Sequence, residues 1–232
     1  TIASLEHPHI LPIYGFGQVQ GKLFIAMRYI TGGSLGDVLK DRPMTYARAL
    51  RVGRAMADAR DYAHSQSVVH LDRKPPNILM DSKGTPYLAD FGLATSLGAD
   101  GQAKNPGAGT LLYMAPEQIT SDHLDHRADI YSFAIVLFHI FTGQLPFKGS
   151  APLAIQQLRT HEELPPVTDA NPDLPDALTP ILQRGTSLYT ENRYDSVREM
   201  MAEVEQVMGG NSAGIGAAAQ AGGGAGATGM LT

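Results

Sequence analysis

The feature that most constrains this chain is Ile130–Phe141, IYSFAIVLFHIF, its longest apolar stretch. With Asp129 in front of it, the pattern is that of a helix apolar nearly all round. Such a helix is stable only when buried on most sides. It is too short to cross a bilayer, which takes about 20 apolar residues, so the rest of the chain must surround it. Thr45–Gln66 suits that task, because Ala49, Val52, Ala55, Met56, Ala59, Tyr62 and Ala63 recur at helical spacing. Ile13–Gly17 and Lys22–Tyr29 alternate as strands do, with Gln18–Gly21 as the turn. Ile78–Met80 and Pro86–Ala89 read as a second pair of short strands. Thr1–His7 reads as the end of a helix that Pro8 breaks. Thr31–Leu35 leads into another, with Ser34 placed to cap it. A chain of 232 residues built this way makes one large domain or two small lobes.

Composition removes several function classes. The net charge is -5 and no basic patch stands out, which argues against nucleic acid as a partner. There is no cysteine, so neither a disulfide framework nor a thiolate metal site can form. No signal peptide is visible at the start. Thr1 falls inside a helix-like pattern, which reads as a piece of a longer protein. Residues 209–232 are almost all Gly, Ala and small polar residues, the composition of a flexible tail or linker.

The chemistry concentrates in Val68–Gly92, VVHLDRKPPNILMDSKGTPYLADFG. His70-Leu71-Asp72-Arg73-Lys74-Pro75-Pro76-Asn77 comes first, and Asp90-Phe91-Gly92 follows the short strand pair. Alone, the first piece is a turn rich in Pro, Asp and Asn. The two pieces in order, with Asn77-Ile78-Leu79 between them, resemble the catalytic loop and the DFG motif of protein kinases. Two further runs agree. His7-Pro8-His9-Ile10-Leu11 is similar to the HPNIV signature of that family. Gly109-Thr110-Leu111-Leu112-Tyr113-Met114-Ala115-Pro116-Glu117 is close to its GTxxYMAPE segment. The chain resembles the eukaryotic-like Ser/Thr protein kinases, bacterial in type, from Thr1 to about Met208.

The resemblance implies an α+β, two-lobe kinase fold with a mostly helical C-lobe and a partial β N-lobe. Residues 1–30 would be the N-lobe remnant, namely a helix end, two strands and the hinge. Residues 31–208 would be the C-lobe, with helices at Ala151–Arg159, Pro175–Leu188 and Ser196–Met208, and Asp129–Phe138 as its central pillar. The implied cofactors are ATP and Mg²⁺, and the implied partner is a protein with a Ser or Thr acceptor. Phosphoryl transfer needs positioning, a proton acceptor and positive charge over the phosphates. Asp72 would orient the hydroxyl and accept its proton, and Lys74 would meet the transferred phosphate. Asn77 and Asp90 would hold Mg²⁺, a hard ion that takes oxygen ligands. Met27 would be the gatekeeper, Arg28 and Ile30 would offer backbone groups to adenine, and Ser34, Leu79 and Ala89 would complete the nucleotide site. Thr110 would hydrogen-bond near Asp72 and Lys74, and Tyr113 would shape the pocket after the acceptor. His70, Phe91 and Gly92 would be structural. So would Asp129, which would accept N–H groups from the catalytic loop, and a Glu117–Arg193 pair.

Two departures change the expectations. The glycine-rich loop, a strand lysine and a helix glutamate of the family's ATP site would fall upstream of Thr1. Residues 1–232 alone are therefore expected to be inactive, although the intact protein is not. The loop also reads HLDRKP where the family has HRDLKP, so Leu71 stands where an Arg would read a phosphate on the activation segment. Activity independent of phosphorylation there is the corresponding expectation. The alternative function is a pseudokinase-like binding or regulatory module, which would not need Asp72, Asn77 and Asp90. Small-molecule phosphotransfer ranks below it, because such enzymes lack the segment ending at Glu117. A cytoplasmic location without membrane contact from this segment is expected, with a sensor or transmembrane region possible beyond residue 232 in the intact chain.

Overall fold

The computed structural model describes residues 5–41, 44–68, 74–89, 111–120, 124–147 and 163–221. In chain order these form β1 (Ile13–Val19), β2 (Lys22–Met27), α1 (Leu35–Asp41), α2 (Tyr46–Ser65), β3 (Ile78–Met80) and β4 (Pro86–Leu88). There follow α3 (Glu117–Thr120), α4 (Arg127–Thr142), α5 (Val167–Ala170), α6 (Leu178–Gly185) and α7 (Val197–Ala221). Strands β1–β2 and β3–β4 make two separate antiparallel pairs, and the helices make the body, an α+β arrangement.

Helix α4 is the centre. Apart from Arg127 and His139, its residues are buried, and α2, α5, α6 and α7 pack around it. Its buried hydroxyls at Ser132 and Thr142 bond back to the helix itself. The Ser132 hydroxyl donates to the Ala128 carbonyl at 3.1 Å and the Thr142 hydroxyl to that of Phe138 at 2.7 Å. At the C-terminus Gly143, with φ 72°, donates its N–H to the His139 carbonyl at 2.9 Å. From α2 the buried Arg60 lays its guanidinium 4.4 Å from the centre of the Phe133 ring.

Helix α2 begins after Thr45 and ends before Gln66, within a residue of the stretch its periodicity marks. Its Asp61 carboxylate accepts the amides of Val197 and Arg198, both at 3.2 Å, and so satisfies the start of α7. Helix α7 continues through Gly209 to Ala221, past the Met208 end expected for it. Ala213 and Ala217–Ala219 favour this extension, whereas Gly209, Gly210, Gly214 and Gly216 oppose it. Helix α6 is shorter than Pro175–Leu188, because Pro175 and Asp176 make only turn bonds to Leu178 and Thr179. Leu5–His7 are not helical. The residue before a proline is pushed out of the α region, and Pro8 does that to His7. The helix expected at Ala151–Arg159 lies outside the described residues.

The β1–β2 hairpin behaves differently. Its strands pair as Ile13↔Met27, Phe16↔Ile25 and Gln18↔Leu23, joined by a tight turn at Gln20 and Gly21, both with positive φ. Phe16 is 78% exposed and Leu23 86%, whereas Phe133 in α4 is 0%. Strand β2 stops at Met27 rather than Tyr29. The next residue, Arg28, donates its N–H to the Pro12 carbonyl at 3.0 Å. Pro12 has no N–H to return, so the ladder ends there.

Candidate active site

The site is built on the turn that leads into β3. Pro75 and Pro76 fix φ near helical values, and Pro75–Asn77 form one 3₁₀ turn in which the Asn77 N–H donates to the Lys74 carbonyl at 2.9 Å. Asn77 is buried and Lys74 half-buried. The Asn77 carbonyl accepts the Ala89 N–H at 2.9 Å, and the strands continue in register from Ile78↔Leu88. Asn77 therefore lies beside the residue that immediately precedes Asp90. The β3–β4 turn is fixed by Asp81, whose Oδ1 accepts the amides of Thr85 at 2.8 Å and Lys83 at 2.9 Å. Those bonds, the Thr85 amide first, hold its carboxyl below the ordinary carboxylate value.

A second layer comes from the chain before β1. The Leu88 N–H donates to the His9 carbonyl at 2.8 Å, and the Leu11 N–H to the Leu88 carbonyl at 2.9 Å. This sets Leu11, Tyr87 and Ala89 in a small apolar cluster, apart from the main core, with Ile30 and Leu79 packed on it. The hinge residues border that cluster. The Arg28 guanidinium lies 5.0 Å from the centre of the Tyr87 ring. Because Pro12 cannot answer it, the Arg28 carbonyl has no bond among the described residues, and neither has the Ile30 N–H. Met27, at the end of β2, is 38% exposed. The chain then turns tightly against β3. A Cβ on Gly32 would collide with the carbonyl oxygens of Met80 and Asp81, so only glycine fits. Ser34 bridges to Leu79 and caps α1 reciprocally with Asp37. The Asp37 N–H donates to Ser34 Oγ at 3.1 Å, and the Ser34 N–H and hydroxyl donate to Asp37 Oδ2 at 3.1 and 2.6 Å.

Beneath the site the helical body supplies three pairs. Nε2 of His64, in the last turn of α2, donates to Asp129 Oδ2 at 2.6 Å, with the Asp129 side chain 1% exposed. Arg193 grips Glu117 bidentately at 2.6 and 2.9 Å, and donates to the carbonyls of Arg127 at 2.9 Å and Ser187 at 2.8 Å. Tyr113 meets His139 of α4 with 2.9 Å between the hydroxyl and Nδ1.

Lys74, Asn77, Leu79 and Ala89 are thus brought together, with Ile30, Arg28 and Ser34 on the adjoining edge. His70, Asp72, Asp90, Phe91, Gly92 and Thr110 lie outside the described residues, as do the catalytic-loop amides expected to bond Asp129. The residues that sequence reasoning missed are His64 and His139. His64 falls outside the apolar set of its helix, and His139 interrupts an apolar run, but no spacing marks either as paired.

The family model described as protein kinase domain matches residues 1–202. The chain belongs to that family. It is 33% identical over 206 residues to a probable serine/threonine-protein kinase PknB of Lactococcus lactis, covering 88% of this chain and 33% of that protein. It is 34% identical over 205 residues to the serine/threonine-protein kinase PknE of Mycobacterium tuberculosis, covering 87% and 36%. A third relative, PknJ of Mycobacterium bovis, is 37% identical over 204 residues, covering 85% and 35%. The kinase domain therefore spans about a third of the length of these relatives. Membership implies ATP and typically Mg²⁺ as cofactors. Among the described residues no helix is long and apolar enough to cross a membrane.

Proposed function

We propose that the full-length protein transfers the γ-phosphoryl group of ATP to Ser or Thr of a protein substrate. The observation that carries this reading is the Asn77–Ala89 bond. It ties the end of the His70–Asn77 loop to the start of Asp90–Gly92, so the residue types of both motifs arise from adjacent backbone. Asn77 and Asp90 offer oxygen donors, the chemistry a hard divalent ion takes. Bound Mg²⁺ and ATP would supply the transferred group and the charge that neutralises its oxygens. The chain's own residues do the rest. Asp72 orients the acceptor hydroxyl and takes its proton, while Lys74 and Thr110 fix the phosphate and the loop. The open Arg28 carbonyl and Ile30 amide receive the adenine edge, and Leu79, Ala89 and Ile30 give it an apolar floor. Asp129, His64 and the Glu117–Arg193 pair hold the loops from below. The reaction places the domain in the cytoplasm, where ATP is supplied.

In the full-length protein, Asp72→Asn is expected to lower transfer to a Ser/Thr substrate at least about 100-fold, the low end for loss of a general base. ATP affinity, measured by calorimetry, should change little, because the role proposed for Asp72 is on the acceptor hydroxyl and not on the nucleotide. Near-full activity in this variant overturns the assignment.

A further inference from the structure

Tyr113 and His139 form a contact that phosphoryl transfer itself does not use. Tyr113 is 7% exposed, and its hydroxyl lies 2.9 Å from His139 Nδ1. Burial pushes the phenol up, so it keeps its proton. A buried hydroxyl needs an acceptor, and among the described residues Nδ1 is the one it reaches. The O–H therefore donates, Nδ1 accepts, and the proton of the neutral imidazole sits on Nε2. Burial lowers the His139 pKa, which favours the same neutral form. Both partners are held in place. His139 sits in α4 between the buried Phe138 and Ile140. The segment after Tyr113 is fixed by the Ala115 N–H donating to Gln118 Oε1 at 3.0 Å and by Glu117 on Arg193.

We propose that His139 is a positioning residue for the protein substrate, holding Tyr113 through its neutral Nδ1, so that protonation of the imidazole weakens substrate binding. This rests on the reading of residues 109–117 as the segment that receives the acceptor. A protonated Nδ1 can only donate to the phenol oxygen. The Tyr113 O–H must then turn away inside a buried site, and the wall of the acceptor pocket turns with it. Four charged or titratable groups on the elements around α4 are engaged elsewhere. Arg60 lies over Phe133, His64 on Asp129, Arg193 on Glu117 and Arg184 on Glu199 and Glu203. Burial alone sets the direction at His139.

The test uses the full-length protein, its His139→Gln variant, whose amide can accept but cannot titrate, and its Tyr113→Phe variant. The Michaelis constants for protein substrate and for ATP are measured from about pH 7.5 down to about pH 5.5, across the histidine range and below it. In the wild type the constant for protein substrate should rise about fivefold or more, the equivalent of one lost hydrogen bond, without a matching rise for ATP. His139→Gln should abolish that step, and its persistence overturns the proposal. A second readout needs no turnover. Imidazole NMR should show the Nε2–H tautomer at His139, and Tyr113→Phe should move its titration to higher pH. An Nδ1–H tautomer, or an unmoved titration, also overturns the proposal. Activity without the pH step defeats this inference alone, whereas no ATP-dependent phosphorylation at any pH defeats the functional reading beneath it.

Discussion

Helix α4 and the β1–β2 hairpin are held by different forces. In α4 the chain buries apolar side chains on every face, and the surrounding helices supply the enclosure. In the hairpin the order comes from the ladder and the turn, while Tyr14, Phe16, Leu23 and Tyr29 stay exposed. A two-stranded hairpin by itself is marginally stable in water. Here its base is anchored by Leu11 on β4 and by Arg28 on Pro12. Burial and anchoring thus divide the work within the kinase domain. The helical body carries the stability, and the strands carry the edge that faces the nucleotide in the proposed reaction.

The sharpest way to break that comparison is Arg193→Ala. The Arg193 side chain is 0% exposed and that of Glu117 17%. Removing the cation strands a carboxylate, and urea unfolding should show a loss of about 3–5 kcal/mol. A loss under about 1 kcal/mol would mean that Glu117 finds water or another partner easily, and that the body is loosely packed around the pair.

A smaller effect is expected where the two regions join. Ser34→Ala should cost about 1 kcal/mol by removing the cap of α1. Its partner adds a pH signature. Hydrogen bonds from the Ser34 hydroxyl and amide, then from Lys40, lower the Asp37 carboxyl from 3.8 to about 2. The folded value lies below the unfolded one, so this contribution is complete above the ordinary carboxylate value and fades as pH falls through about 2. Ser34→Ala should therefore flatten the acid limb of a melting-temperature profile, and an unchanged limb would remove Ser34 as the cause.

The smallest effect belongs to the exposed middle of the hairpin. Phe16→Ser should change stability by no more than about 0.5 kcal/mol, as for an exposed site without special contacts. A loss above about 2 kcal/mol would show that its ring is covered in the full-length protein, and the contrast with α4 would then fail.

The sequence made α2 and α4 legible for a physical reason. Helical period and all-round hydrophobicity are local, and tertiary packing reinforces them rather than overriding them. The α+β class followed from the same patterns together with the family resemblance. The hidden part was pairwise and distant. Tyr113 and His139 are separated by 26 positions, and His64 and Asp129 by 65. Neither side chain of such a pair announces the other. Ser34 is readable as a cap from its place before α1, and Asp37 answers it from the local spacing of a capping box. The residues beyond Met208 offer no apolar period from which the continuation of α7 to Ala221 could be read. Backbone propagation does not require one.

Pro12 has a consequence beyond ending the β1–β2 ladder. Any other residue there would bring an amide hydrogen within reach of the Arg28 oxygen and consume it. An imino acid leaves that oxygen without a donor among the described residues. In the proposed reaction, a ligand arriving at the hinge would meet that oxygen without first displacing a contact made by the described residues. Receptivity at this edge is thus specified by an absent hydrogen atom, one residue before the strand begins.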